Sequence, residues 1–260
     1  MKTEKIFAVV TAYHKEHRDV ILRAVESVKR MRSAGYQVKH YLVADGHPQD
    51  FSAASVHHIQ LPTEHRDYGD TPRLIGATLA IREGCHGLMF LDADNVVYPN
   101  HLELALQKYT HESNNIVLTK RDFLRPNGEK ITFTCAEDQN FSHVDTGCFV
   151  FFDEAVYEAL EWIKIPSKLS AFGDRYFWNL LRDSRNTFGA TETPTVGYTC
   201  LWAGVYHEIN EAPPPGAKEL DWSEMEDFWD NLSEKDLSIL KNRLKIKTPI
   251  RLQKKDYQNG

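Results

Sequence analysis

Hydrophobic positions in the first hundred residues follow two alternating rhythms. Residues 5–11 (KIFAVVT) form a short, β-branched apolar run, as expected of a strand buried on both faces. Val20, Ile21, Ala24, Val25, Val28 and Met31 then recur at helical spacing, which predicts an amphipathic helix over about residues 17–33, stopping near Gly35. Residues 38–44 read as a second strand closed by the turn Asp45-Gly46-His47-Pro48, and residues 55–61 as a third, shorter one. Pro72 suits the first turn of a helix that carries Leu74, Ile75, Thr78, Leu79 and Arg82 before Gly84. Residues 87–91 (GLMFL) are the next strand; it ends on Asp92-Ala93-Asp94-Asn95, and Pro99 opens another helix. This succession predicts an α/β fold, a mostly parallel central sheet flanked by helices.

The second half is less regular. Residues 115–119 and 146–152 read as strands, Pro126-Asn127-Gly128 as a turn between two extended stretches, and Asp153 as the start of a helix. A further helix is expected from about Asp174 to Arg182, then an extended stretch over 192–206 and a break at Pro213-Pro214-Pro215-Gly216. Residues 223–245 should form one or two helices, with Ser223-Glu224-Met225-Glu226 resembling a capping box.

Composition narrows the class. With 260 residues, 42% hydrophobic and 26% charged, the chain can bury a sizeable core and is unlike disordered, collagenous or small secreted sequences. There is no apolar run of about 18 residues, and residues 6–13 are too short for a signal-peptide core, so an intracellular folded protein is expected. Cys85, Cys135, Cys148 and Cys200 are widely spaced with no CxxC, which suggests neither a zinc site nor a disulfide framework. The net charge of −6 divides into +6 over residues 241–260 and −12 over the rest. So acidic a body argues against a nucleic-acid groove. In the tail, Leu240, Leu244, Ile246 and Ile250 alternate with Lys241, Arg243, Lys245, Lys247 and Arg251. That pattern reads either as a solvated face of the domain or as weak contact with an anionic membrane surface.

In an open parallel sheet, ligands bind beyond the carboxyl ends of the strands. Thr11-Ala12-Tyr13, Asp45-Gly46 and Asp92-Ala93-Asp94 occupy those places. Asp92 and Asp94 stand two apart, so in extended geometry both carboxylates point the same way. Uncompensated, they repel, and a hard cation such as Mg²⁺ or Mn²⁺ with a diphosphate relieves that; otherwise they only cap the following helix.

The ordered series FAVVTAY, LVADGH, PRLIGATLAIREG and GLMFLDADNVVYPNHLE resembles the nucleotide-sugar half of GT-A glycosyltransferases of the family 2 type, over roughly residues 5–210. The resemblance implies a single Rossmann-like GT-A domain over 1–220, with a nucleotide-binding half (1–95) and an acceptor half (96–220), then a C-terminal helical and basic tail (221–260). It implies a metal-dependent enzyme that moves a sugar from a nucleotide-sugar donor, a UDP-sugar on family frequency, to a hydroxyl of a carbohydrate or lipid-linked acceptor. Inversion at the anomeric carbon and a cytoplasmic location, at most peripheral at the inner membrane face, go with it. By the same resemblance Thr11, Tyr13 and Asp45 contact the base or ribose, Arg73 lies near the nucleotide, and Asp92-Ala93-Asp94 is the DxD with Asp94 the direct metal ligand.

Asp174 is then the general base, although the family's acidic pair here reads Gly173-Asp174. His207 is the further metal ligand, with His143 a poorer choice; Asp145 meets the donor sugar, and Trp178 and Trp202 stack on sugar rings. Read from the residues alone, Arg73 is equally a solvated helix residue, Asp174 a complement to a helix N-terminus, Asp145 a turn acid and the tryptophans core. A nucleotidyltransferase would carry a Gly-rich loop where Thr11-Ala12-Tyr13-His14-Lys15 stands, and a dehalogenase-like phosphatase its DxD after the first strand. A nucleotide-sugar-binding protein without transferase activity stays open through Gly173. The sugar, the acceptor, the linkage and the oligomeric state are not legible.

Overall fold

A computed structural model describes residues 5–219 and 221–250. They group into two compact units, Met1–Asp122 with Thr134–Tyr198, and Phe123–Phe133 with Thr199–Gly260. Residues 199–219 thus group with the C-terminal helices in the second unit.

The first unit is built on β1 (Lys5–Tyr13), α1 (Arg18–Arg30), β2 (Tyr36–Asp45), β3 (His57–Leu61), α2 (Asp70–Arg82), β4 (Gly87–Phe90), β5 (Val96–Val97) and α3 (His101–Glu112). It continues with β6 (Ile116–Leu124), α4 (Ala136–Asn140), β7 (Phe149–Phe152), α5 (Gly173–Arg182) and β8 (Phe188–Thr199). The eight strands form one sheet in the order β3-β2-β1-β4-β7-β6-β8-β5. From β3 to β4 neighbours are parallel, as the apolar runs and crossover helices predict. Beyond β4 the sheet turns antiparallel: β7 pairs with β4 and with β6, and β5 with β8. The sheet is therefore mixed. The reversal has a geometric result: the start of β7 and the end of β6 lie on the same edge as the ends of the parallel strands.

The helices cover the sheet where their apolar stripes allow. In α1 the residues Ile21, Ala24, Val25 and Val28 are buried, matching the helical spacing. Helix α2 lies so close to β1 and β2 that a Cβ on Gly76 would fall 2.5 Å from Val10 Cγ1. Several expectations are displaced. Residues 146–148 are a single 3₁₀ turn, so the strand there begins only at Phe149. The helix opening at Asp153 is a 3₁₀ helix through Lys164, burying Ala155, Val156, Ala159 and Trp162. The expected extended stretch over 192–206 splits into the end of β8 and the short helix α6 (Ala203–Glu208). A bridge from Trp202 to Lys218 ends the extended run, and the Tyr206 hydroxyl donates to the Cys200 carbonyl to close the turn.

In the second unit, Pro126-Asn127-Gly128 sits in a tight turn closed by Arg125 N–H on the Glu129 carbonyl. Helices α7 (Ser223–Asp230) and α8 (Glu234–Leu244) follow. Ser223 makes no side-chain cap of α7; the cap signal belongs to Ser233, whose hydroxyl accepts from Asp236 N–H at the start of α8. Leu240 and Leu244 are buried while Arg243 and Lys245 face out, so the first part of the basic tail packs its apolar side. The rest of that tail, from Arg251, lies outside the described residues. No helix among the described residues is long and apolar enough to cross a membrane.

Candidate active site

Strands β1 and β2 run on to Tyr13 and Asp45, which changes what those residues offer. Thr11 is fully buried, its hydroxyl 2.9 Å from His40 Nε2, and burial pushes the His40 imidazole down to about 3, so it is neutral. The buried Tyr13 hydroxyl accepts from Gln49 N–H at 2.9 Å and meets His58 Nε2. The Asp45 carboxylate, also buried, accepts from the backbone N–H and ring Nδ1 of His65. The side chains expected to meet base or ribose are thus already engaged inside the protein.

The end of β4 is charged but compensated. Arg73 is no solvated helix residue: it is buried and donates to Asp92 at 2.6 Å, to Asp70 at 3.3 Å and to the Tyr68 carbonyl at 2.9 Å. Its guanidinium also lies 5.4 Å from the Trp162 ring centre. Burial opposes its charge, but Asp92 and Asp70 outweigh that and raise its pKa. The same burial raises the Asp70 carboxyl to about 7. The expectation of two uncompensated carboxylates at 92 and 94 is therefore corrected, because Asp92 arrives paired. Ala93 points the other way, into a core cluster with Ile21, Leu42 and Phe51, so its side chain offers a ligand nothing.

Asp94 is half-buried at the strand end, and its carbonyl accepts from Arg23. Among the described residues no group of three His, Cys, Asp or Glu ligands gathers around it. A Mg²⁺-type ion binds through one or two carboxylates together with water and phosphate oxygens, so Asp94 fits such an ion bound jointly with a diphosphate, not held by protein alone. His207 is exposed on α6, in the second unit.

Beside this lies an ionic network at the start of β7, the end of β6 and the first turn of α5. Asp174 accepts from Arg175 N–H through Oδ1 and from His143 Nε2 through Oδ2, the latter at 2.6 Å. The other His143 nitrogen is 3.6 Å from Asp138. Arg121 grips Asp138 with two bonds, of 2.7 and 3.2 Å, donates to Asp145, and packs over the Tyr198 ring. Asp145 in turn caps the 3₁₀ turn by accepting from Gly147 N–H at 3.0 Å. Burial disfavours a charged His143, yet Asp174 and Asp138 overcome it and raise the imidazole to about 9. For Asp174, burial pushes up, but the charge and hydrogen bond of His143 together with Arg175 and Arg121 outweigh it, so its carboxyl sits below the usual range. At neutral pH the pair is imidazolium and carboxylate. Arg121, Asp138, His143 and Asp145, with Lys120, Phe141 and Cys148, line a small cavity.

Sequence reasoning missed Arg121, Asp138 and Asp70, and considered His143 only for metal, whereas here it bonds Asp174. Trp178 is core, donating to the Phe141 carbonyl and packing on Phe149 and Phe188. The glycine in place of the family's first acid has a steric cause: a Cβ on Gly173 would lie 2.7 Å from Trp162 Cζ3.

No protein-family model matches the sequence, and no curated protein matches it. Solved structures of similar fold do. The crystal structure of S. aureus TarS 1–349, a GT-A-type glycosyltransferase, aligns at a TM-score of 0.59 and 13% identity, covering 82% of this chain and 67% of that one. The same TarS fragment in complex with UDP-GlcNAc aligns at 0.59 and 12%, covering 92% and 72%. A further TarS structure aligns at 0.57 and 12%, with this chain spanning 44% of it. Identities this low speak for shared architecture, and on that ground the chain has the GT-A fold.

Proposed function

We propose that this chain is a glycosyltransferase that moves a sugar from a UDP-sugar to the hydroxyl of a carbohydrate or lipid-linked acceptor, with inversion. The observation that carries the reading is the ionised Asp174, whose neighbour Gly173 lies against Asp70, the partner of the same Arg73 that holds Asp92. The fold is shared with TarS, which has been solved with UDP and with UDP-GlcNAc. His143 holds Oδ2 of Asp174 and keeps the carboxylate deprotonated, so the base is in its reactive form before substrate arrives. The acceptor oxygen attacks the anomeric carbon and its proton passes to Asp174, while the bond to the diphosphate breaks and the electron pair leaves with that group. Asp94 would hold Mg²⁺ or Mn²⁺, which would supply positive charge to the departing diphosphate. Arg73 keeps Asp92 fixed and the Asp145–Arg121 pair stiffens the floor beneath.

A binder without transferase activity is the second reading, favoured because Asp174 is committed to an ion pair. A panel of nucleotide sugars with and without Mn²⁺, read for transfer and slow hydrolysis, separates the two. Asp174→Asn is expected to abolish turnover and leave UDP binding intact, and Asp94→Asn to lose metal-dependent UDP binding. Full transfer by Asp174→Asn would remove the base assignment, and a chain that binds no nucleoside diphosphate would remove the donor.

A further inference from the structure

We infer that the ends of β1, β2 and β3 form a binding site for a borderline-soft divalent cation of the zinc class, held by His14, His47 and Glu64. The topology brings these residues together from far apart in sequence. His14 directly follows β1, His47 follows β2 and Glu64 follows β3, and these three strands are parallel neighbours, so their ends share one edge. Each residue offers one ligand atom, and the three atoms all lie within 4.8 Å of one another. Nε2 of His14 and Nε2 of His47 converge on the same carboxylate oxygen, Glu64 Oε2, at 2.8 and 3.1 Å.

The backbone holds the cluster in place. Gly46 has φ +76°, and a Cβ there would fall 2.4 Å from the Glu64 nitrogen, so the two loops touch main chain to main chain. Next to Glu64, His65 is anchored on Asp45; two residues after His47, Gln49 is anchored on Tyr13. Any side chain at 46 would push His47 and Glu64 apart.

The donor chemistry selects the ion. Two imidazoles and one carboxylate suit Zn²⁺, Co²⁺, Ni²⁺ or Cu²⁺ better than Mg²⁺ or Ca²⁺, and leave a fourth position to water. Tetrahedral zinc sets its ligand atoms about 3.4 Å apart, so the nitrogen–oxygen separations need to open by only a few tenths of an ångström. Lys15 Nζ, 3.3 Å from Oε2, is the competitor; its side chain is 59% exposed and can swing into water. Arg66 engages the other oxygen, Oε1, and need not move. The site shares no residue with the Asp92–Asp94 strand end.

Metal binding to the full chain tests this directly, without any assay of transfer. Chelator-stripped protein is titrated with Co²⁺ near neutral pH and followed by visible absorption, then with Zn²⁺ in competition with a chromogenic chelator. The expected result is one equivalent of Co²⁺ with the intense d–d bands of a four- or five-coordinate site. His14→Ala, His47→Ala and Glu64→Gln should each lose the bands and weaken Zn²⁺ by more than about tenfold, while Asp94→Asn binds like the parent. The ligands are partly exposed, and far-UV circular dichroism checks that each variant is folded. The inference is overturned if the parent shows no such bands, or if His14→Ala and His47→Ala bind Co²⁺ as it does, the metal then lying on other histidines.

Discussion

Replacing His143 with glutamine tests the ionic network at its most sensitive point. The fold raises this imidazole from 6.5 to about 9, because Asp174 and Asp138 face it in a setting that excludes water. A folded-state pKa above the unfolded value means that the folded chain binds the proton more tightly. The resulting stabilisation is present in full below about pH 6.5 and is lost as pH rises through about 9. At 1.36 kcal/mol for each unit, the contribution is on the order of 3 kcal/mol. The side chain is only 9% exposed, so solvent screens little of it. Glutamine can still donate to Asp174 but carries no charge and does not titrate. Urea unfolding of both proteins at pH 6.5 and 9.5 therefore has a defined outcome. His143→Gln should be the less stable at the lower pH, and the gap should shrink by about 3 kcal/mol at the higher. Cysteine and tyrosine ionisation near the upper limit is common to both chains and cancels in the difference. A gap of constant size at the two pH values would refute the imidazolium assignment and, with it, the account of why Asp174 is ionised.

Two further substitutions probe the same region. Gly173→Ala drives a methyl into the buried Trp162 ring, which is stacked on Phe177 at 4.4 Å, and should cost about 1–3 kcal/mol in urea midpoint at unchanged m-value; an unshifted midpoint would contradict the steric reason for the glycine. Arg121→Met leaves Asp138 and Asp145 buried without their guanidinium and should cost about 3–5 kcal/mol by thermal melting, part of it recovered by adding Asp145→Asn; a loss that the second change deepens would argue against the pairing.

The parallel half was legible because its signals are local. A β-branched run buried on both faces, as at residues 5–11, and a helical stripe such as Ile21, Ala24, Val25 and Val28 need no distant partner to be recognised. The 3₁₀ helix from Asp153 and the short helix at Ala203 carry apolar residues without a decisive period, and packing settled their form. Among the candidate site residues, Asp94 and Asp174 could be placed at element ends because strand ends and helix starts are marked in sequence. The pairing of Arg73 with Asp92 spans 19 residues and that of Arg121 with Asp145 spans 24, and nothing in either neighbourhood announces the other. His14, His47 and Glu64 lie in irregular turns, where periodicity is silent, and only the strand order makes them neighbours.

The order β4-β7-β6 constrains how this chain can assemble. Strand β6 precedes β7 in the chain but sits outside it, so it joins the parallel strands only through β7. Pairing β7 with β4 closes a connection running from Phe90 to Phe149, and loop closure over this span carries an entropic cost. The early parallel strands can be collapsed while Arg121 is still in water. Arg121 lies on β6, and Asp138 and Asp145 lie on the connection from β6 to β7, so the cation and both its carboxylates come from one contiguous stretch of chain.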